Sequence, residues 1–165
     1  MNAAHVNPFL SATIRLFERT FGVAAEPGKP YLDDRSMSHR WDISGVMVLT
    51  GNAIGVVAIR LTRLLADKLL ERSGVTWKTE DERHEIVNGM VGELVNVIAG
   101  NAASELSGFN IEISVPVVIQ GKNHTVAWPD REPVVGVPFN TPLGPFLVNL
   151  SLIEVPAAYR QAGCK

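Results

Sequence analysis

The chain has 165 residues, of which 46% are hydrophobic and 19% charged, and its formal net charge at pH 7 is -2. This length is typical of one domain, and the composition excludes an intrinsically disordered chain. The small net charge excludes a general attraction to nucleic acids or acidic membranes. Because Cys164 is the only cysteine, an intrachain disulfide and a cysteine-based metal site are also excluded.

The first residues, Met1–Asn7, lack the basic start and the apolar run of a secretory signal. No apolar stretch is expected to approach the length of about 18 residues that a membrane span needs. A single cysteine also suits a reducing compartment, so we expect a cytoplasmic protein.

Three elements are predicted in about the first 60 residues of the chain. Asn7-Pro8 is typical of a helix start, and apolar residues recur from there at helical spacing as far as Gly22. The mostly polar segment 31–41 is predicted to be an edge strand. Two β-branched runs, Gly45–Leu49 and Gly55–Ile59, flank a short turn and predict a hairpin.

Two further helices follow the hairpin. The first is predicted from Thr62 to Gly74, with three leucines on its buried side: Leu64, Leu65 and Leu69. The second begins at the capping box Thr79–Glu82 and continues to Gly108. Its core-facing stripe is predicted to be Val87, Val91, Leu94, Ile98, Ala102 and Leu106.

The rest of the chain has the pattern of strands. They are predicted at Asn110–Gln120, Thr125–Trp128, Val134–Phe139 and Phe146–Ile153. The predicted fold is therefore α+β, with an antiparallel β-sheet packed on one face by long α-helices. We expect a single domain over residues 1–154 and a loosely ordered tail over 155–165.

Glu93 and Asn96 are three residues apart in the long helix, so their side chains share one helical face. Small residues occupy the rest of that face: Gly89, Gly92, Gly100 and Ala103. Three glycines inside a helix cost about 3 kcal/mol relative to alanine. Either close packing requires them, or they leave a flat surface for a partner. Residue type alone favours the packing explanation, in which Glu93 is a solvated helix residue.

The two polar residues also have chemistry that suits phosphoryl transfer. An asparagine amide is neutral and a poor base, but it both donates and accepts hydrogen bonds and so orients a water molecule. Catalysis of phosphoryl transfer consists mostly of positioning and charge stabilisation. In that interpretation Glu93 anchors a cation of the partner and does not act as a general base.

Four features of the sequence occur together: the helix segment Gly92–Ala102, the opening Asn7–Leu10, the hairpin Gly45–Ile59 and the later Pro116. In this combination the chain resembles the CheX branch of the CheC/CheX/FliY chemotaxis phosphatases. The resemblance covers residues 5–154. In the first helix Glu18 is followed three residues later by Phe21, so one site per chain is expected.

The resemblance implies a phosphatase that acts on the phosphorylated aspartate of a response regulator such as CheY. In the family, the glutamate of the motif pairs with a lysine of the regulator, and the asparagine holds the hydrolytic water. These roles fall on Glu93 and Asn96, while Pro116 matches a downstream proline beside the site. The regulator holds Mg²⁺, so no cofactor is expected on this chain. The CheX branch also implies a homodimer joined through sheet edges.

The chain departs from the family pattern at Gly89, where Asp or Ser is common. This departure supports an alternative, a non-enzymatic binding module that docks a regulator through the same helix face. A third interpretation makes Glu93 and Asn96 bystanders buried in a dimer contact. No metal site is predicted, because the four histidines are scattered and the zinc-protease-like start at His84 ends in Asn88.

Overall fold

The structure, a computed structural model, describes residues 3–33, 40–128 and 133–156. Its three helices are α1 Ala3–Phe21, α2 Arg63–Arg72 and α3 Glu80–Glu105. Its eight strands are β1 Glu26–Pro27, β2 Tyr31–Leu32, β3 Ile43–Gly51, β4 Ala53–Leu61, β5 Ile111–Ile113, β6 Val117–Gln120, β7 Val135–Thr141 and β8 Gly144–Glu154.

The strands form one antiparallel sheet in the order β1-β7-β8-β4-β3-β5. The short strands β2 and β6 pair with β7 and β3, so each edge of the sheet consists of two short pieces. The predicted hairpin is the pair β3–β4, in which Leu49 lies opposite Gly55. The predicted fold class is confirmed.

The helices cover one face of the sheet, and α3 lies closest to it. The predicted stripe of α3 is buried from Val87 to Leu106. Gly45 of β3 permits this close approach, because a Cβ atom there would lie 2.8 Å from Val91 Cγ1 and 3.0 Å from the Val91 carbonyl oxygen. Helix α1 packs against α3 as well. The position of α3 is therefore set by contacts with both the sheet and α1.

By length and composition alone, α3 is also the one described helix that could cross a membrane, with a mean hydropathy of 1.2 over 18 residues. It contains no continuous apolar stretch of that length, because Asn88, Glu93 and Asn96 interrupt it. The apolar residues of α3 belong to the core that it forms with the sheet and with α1. Burial in that core accounts for its hydropathy.

The opposite face of the sheet carries a buried polar cluster. The Arg60 guanidinium donates through Nε to Ser44 Oγ, which also lies 2.7 Å from His124 Nε2. Burial lowers the pKa of Arg60, while Asp33 and Tyr31 act in the opposite direction. The Asp33 carboxylate accepts a 2.8 Å hydrogen bond from Asn149 Nδ2. These contacts hold the segments around Asp33 and His124 against the sheet face that the helices leave open.

Two predicted features of the helices are wrong. Helix α1 begins at Ala3, not at Asn7, and Pro8 lies inside it. Val6 is buried in the core and the His5 ring contacts Phe109, so these contacts offset the single backbone hydrogen bond that Pro8 removes. In α2, Leu64 is 64% exposed and lies outside the buried side.

Two strand predictions also need correction. The predicted strand Asn110–Gln120 is two strands, β5 and β6, and Thr125–Trp128 forms no strand. Of the predicted edge strand 31–41, Tyr31–Leu32 pairs with β7, and residues 34–39 lie outside the described residues. Most of the predicted tail, residues 157–165, lies outside them as well, so its looseness stays a prediction.

Candidate functional site

The start of α3 is fixed by the predicted cap. Thr79 Oγ1 accepts a hydrogen bond of 3.2 Å from the Glu82 backbone N–H, and the Glu82 carboxylate accepts one of 2.8 Å from the backbone N–H of Lys78. Acidic residues in the first turn complement the helix dipole. The cap therefore fixes where α3 begins, and the starting residue decides which side chains face outward along the helix.

Glu93 is exposed and Asn96 is half-buried on the outward face of α3. Among the described residues, neither side chain has a hydrogen-bond or ion-pair partner. Buried polar groups in proteins are almost always hydrogen-bonded, so a half-buried amide with no partner is available to bind one. Glu93 offers a carboxylate and Asn96 a neutral donor and acceptor to an approaching molecule.

The three glycines around this pair have different surroundings. A Cβ atom at Gly89 would meet nothing within 4 Å, and one at Gly100 would meet only Ile113 Cδ1 at 3.9 Å. At Gly92 it would make ordinary contacts of 3.5 Å with Val118 and 3.6 Å with Pro116. Alanine fits at all three positions, so the packing explanation for these glycines is wrong. A flat surface for a partner stays a prediction; Gly89 is exposed, whereas Gly92 is buried beneath Pro116 and Val118.

The edge strands β5 and β6 border the pair on one side and are separated by a β-bulge. Leu49 of β3 lies opposite Ile113, and Val46 lies opposite Val117. Between them, two residues of β3 face three residues of the edge, Ser114–Pro116, which is the one-residue excess that defines a bulge. The sequence analysis missed this feature because it treated 110–120 as one strand.

The bulge places Pro116 against α3. Pro116 lies over Gly92, and Ile113 lies beside Gly100, so the segment between them passes α3 at the level of Asn96. Eight residues of helix rise about 12 Å, and three residue steps of strand span about 10 Å. The two segments therefore run side by side along the site.

A groove of about 370 Å³ continues the surface toward the C-terminal end of α3. Gly100, Ala103 and Ser104 line one side of it. Phe109, Ile111 and Ile113 line the other side. Along α3 the groove extends from Gly100 to Ser104, about one helical turn, and it begins about one turn beyond Asn96.

A second Glu-x-x-Asn spacing, Glu85 to Asn88, lies two turns earlier on the same side of α3. The sequence analysis overlooked it. Asn88 Oδ1 accepts a hydrogen bond of 2.9 Å from Gln120 Nε2, which also donates to the His84 carbonyl oxygen at 2.8 Å. The Asn88 amide is thus hydrogen-bonded to Gln120 of β6, and this distinguishes Asn88 from Asn96.

Within the described ranges, no three His, Cys, Asp or Glu side chains gather closely enough to hold a metal ion.

Comparison with known proteins assigns the chain to a family. The family model described as "Chemotaxis phosphatase CheX" matches residues 43–140, which is more than half of the chain and contains Glu93, Asn96 and Pro116. The chain belongs to the CheX family of chemotaxis phosphatases. The predicted family, and with it a phosphatase activity, is confirmed. No curated protein is significantly similar to the chain in sequence.

Solved structures of CheX-like proteins agree with this assignment. A chemotaxis protein CheX from Desulfovibrio desulfuricans is 28% identical, with a TM-score of 0.82, and the match covers 90% of this chain and 99% of that one. A CheC-like superfamily protein from Shewanella sp. PV-4 is 27% identical, with a TM-score of 0.81 and coverage of 93% and 99%.

A third similar structure contains a partner. It is the complex of CheX, CheY, BeF3 and Mg²⁺ from Borrelia burgdorferi, in which the similar chain is 26% identical to this one. The TM-score is 0.77, and the match covers 91% of this chain and 98% of that one. BeF3 in such a complex stands in for a phosphoryl group.

Proposed function

We propose that this CheX-family protein hydrolyses the aspartyl phosphate of a phosphorylated, CheY-like response regulator, and that Glu93 and Asn96 carry the reaction. The observation that supports this most is the Asn96 amide, which is half-buried on an exposed helix face and has no partner among the described residues. The Borrelia burgdorferi relative, which binds CheY, supports the choice of partner.

In this proposal Asn96 orients the attacking water. The water oxygen forms a bond to phosphorus, the bond between phosphorus and the aspartyl oxygen breaks, and the regulator regains its free carboxylate. Asn96 accepts one hydrogen bond from the water and donates another, which fixes the water in line with the breaking bond. The protons of the water leave with the phosphate or pass to solvent.

The other residues of the site bind the regulator. Glu93 pairs with a lysine of the regulator, and its exposed carboxylate suits that role. Gly89, Gly100 and Pro116 form the surface on which the backbone of the regulator lies, whereas Gly92 is buried beneath Pro116 and does not contribute to it. We propose that Mg²⁺ is held by the regulator and not by this chain, in keeping with the relative whose complex contains both CheY and Mg²⁺.

A screen of phosphorylated response regulators from the same cell tests the function. We expect at least one CheY-like regulator to lose phosphate faster when the protein is added, measured as phosphate release. A protein that binds this regulator without accelerating release would instead be the docking module. Gly89 is the observation that favours the module, because it leaves an open space where the family commonly has Asp or Ser.

We also propose that the protein is a cytoplasmic homodimer joined through a sheet edge. The edge made by β5 and β6 borders Asn96, so pairing at the β1 and β2 edge is the arrangement that leaves the site open. The neighbouring residues Tyr31 and Leu32 on that edge are 45% and 72% exposed, and adjacent exposed apolar side chains support a contact there. Light scattering should give twice the mass of one chain, and the mass of a single chain would contradict the dimer.

A further inference from the structure

The proposed docking surface must extend beyond Glu93 and Asn96. A stable protein–protein interface buries about 800 Å² on each partner, from 20 or more residues. Two side chains supply a small part of such an area. A regulator that brings its aspartyl phosphate to Asn96 therefore also covers the structure beside Asn96, and the bulge of β5 and β6 is that neighbour.

The bulge is held rigidly. The Ser114 backbone N–H donates to the Val48 carbonyl oxygen at 2.9 Å, and Ser114 Oγ accepts from the Val48 backbone N–H at 3.0 Å. Ser114 Oγ also donates to the Val115 carbonyl oxygen at 2.9 Å. Pro116 fixes the other end, because its ring packs over Gly92. A side chain on this segment is presented with little conformational freedom to lose on binding.

Val115 is the residue that the bulge presents. It is 80% exposed, more than any other large hydrophobic side chain that the structure describes. Single exposed apolar residues are common, but this one lies on a fixed bulge at the level of Asn96. Bulges occur next to active sites, where they redirect a side chain.

We infer that the bulge is a second contact element for the regulator and that Val115 is its apolar contact residue. This inference rests on the proposed function, since the occupant is the same phosphorylated regulator. Val115 packs against an apolar patch beside the phosphorylation site of the regulator and contributes to binding, whereas Asn96 contributes to the chemical step. The two roles separate in the kinetics.

The test compares Val115→Asp with the wild-type protein in phosphate release, over a range of phosphorylated regulator concentrations. We expect KM to rise about tenfold, which is typical of losing an interface anchor, with kcat within about twofold of wild type. Val115→Ile should retain the wild-type KM. Leu64→Asp is the matched control, because Leu64 is also highly exposed but lies on α2.

Binding of the regulator in its BeF3–Mg²⁺ form gives a second measurement that does not depend on hydrolysis. We expect Val115→Asp to weaken this Kd by a similar factor, with an unchanged melting temperature. An unchanged KM and Kd overturns the inference, and so does a fall in kcat alone. Wild-type protein that binds but does not hydrolyse overturns the proposed function only. Protein that does neither overturns both.

Discussion

Replacing Asn96 by alanine should lower kcat for dephosphorylation of the regulator by about 100-fold or more, the loss found when one oriented hydrogen-bond donor is removed from an active site. Stability should not fall, because the Asn96 side chain has no partner among the described residues and alanine is the better helix former. Phosphate release at saturating regulator and a thermal melt measure the two quantities.

Asn88→Ala is the matched control for Asn96→Ala. It removes the same side chain from the same side of α3, but that amide is bonded to Gln120. We expect it to keep wild-type turnover and to lose a little stability. Unchanged turnover in Asn96→Ala would remove Asn96 from the mechanism.

Glu93→Gln should raise KM and keep most of kcat, because Glu93 is assigned to binding.

Replacing Phe146 by alanine should produce the largest loss of stability. The Phe146 ring is fully buried and stacks between Phe17 and Phe139, with ring centroids 4.3 Å and 4.9 Å away. The three rings join α1 to the sheet, so the cavity left by alanine has neighbours from two elements. We expect the free energy of unfolding to fall by about 3–5 kcal/mol, which lowers Tm by roughly 10 °C for a chain of this size.

Leu64→Ala is the control for Phe146→Ala. Leu64 is exposed on α2, and its truncation should change the free energy of unfolding by no more than about 0.5 kcal/mol. Chemical denaturation of the two variants gives the comparison. If both variants unfold at the same denaturant concentration as the wild type, the stack of three rings does not hold α1 on the sheet.

The sequence was most informative where the signal is local. The capping box at Thr79–Glu82 and the apolar period that follows it predicted α3 correctly, because both depend on residues within a few turns of each other. The same local reasoning failed at Asn7-Pro8. There the helix extends to Ala3, because Val6 packs into the core and the His5 ring contacts Phe109.

Spacing alone could not choose between the two Glu-x-x-Asn pairs, and the sequence analysis assigned the site to Glu93 and Asn96 through the family resemblance. Both lie on the same side of α3, so spacing does not separate them. In the structure the two pairs differ at the β6 strand: Gln120 donates a hydrogen bond to Asn88, while Asn96 has no partner among the described residues. Gln120 is 32 positions from Asn88 in sequence, and a contact at that separation leaves no local pattern.

The amino-acid sequence by itself determined the fold class, the long helix and the family of this protein, since these follow from periodicity, caps and a short motif. Only the tertiary structure decided that Gly89 is exposed while Gly92 is buried beneath Pro116, and that a bulge carrying the exposed Val115 interrupts the edge strand next to α3. Both depend on which strand lies next to α3 and in what register. Register is a property of paired backbones far apart in the chain, so it becomes visible only when the sheet is assembled.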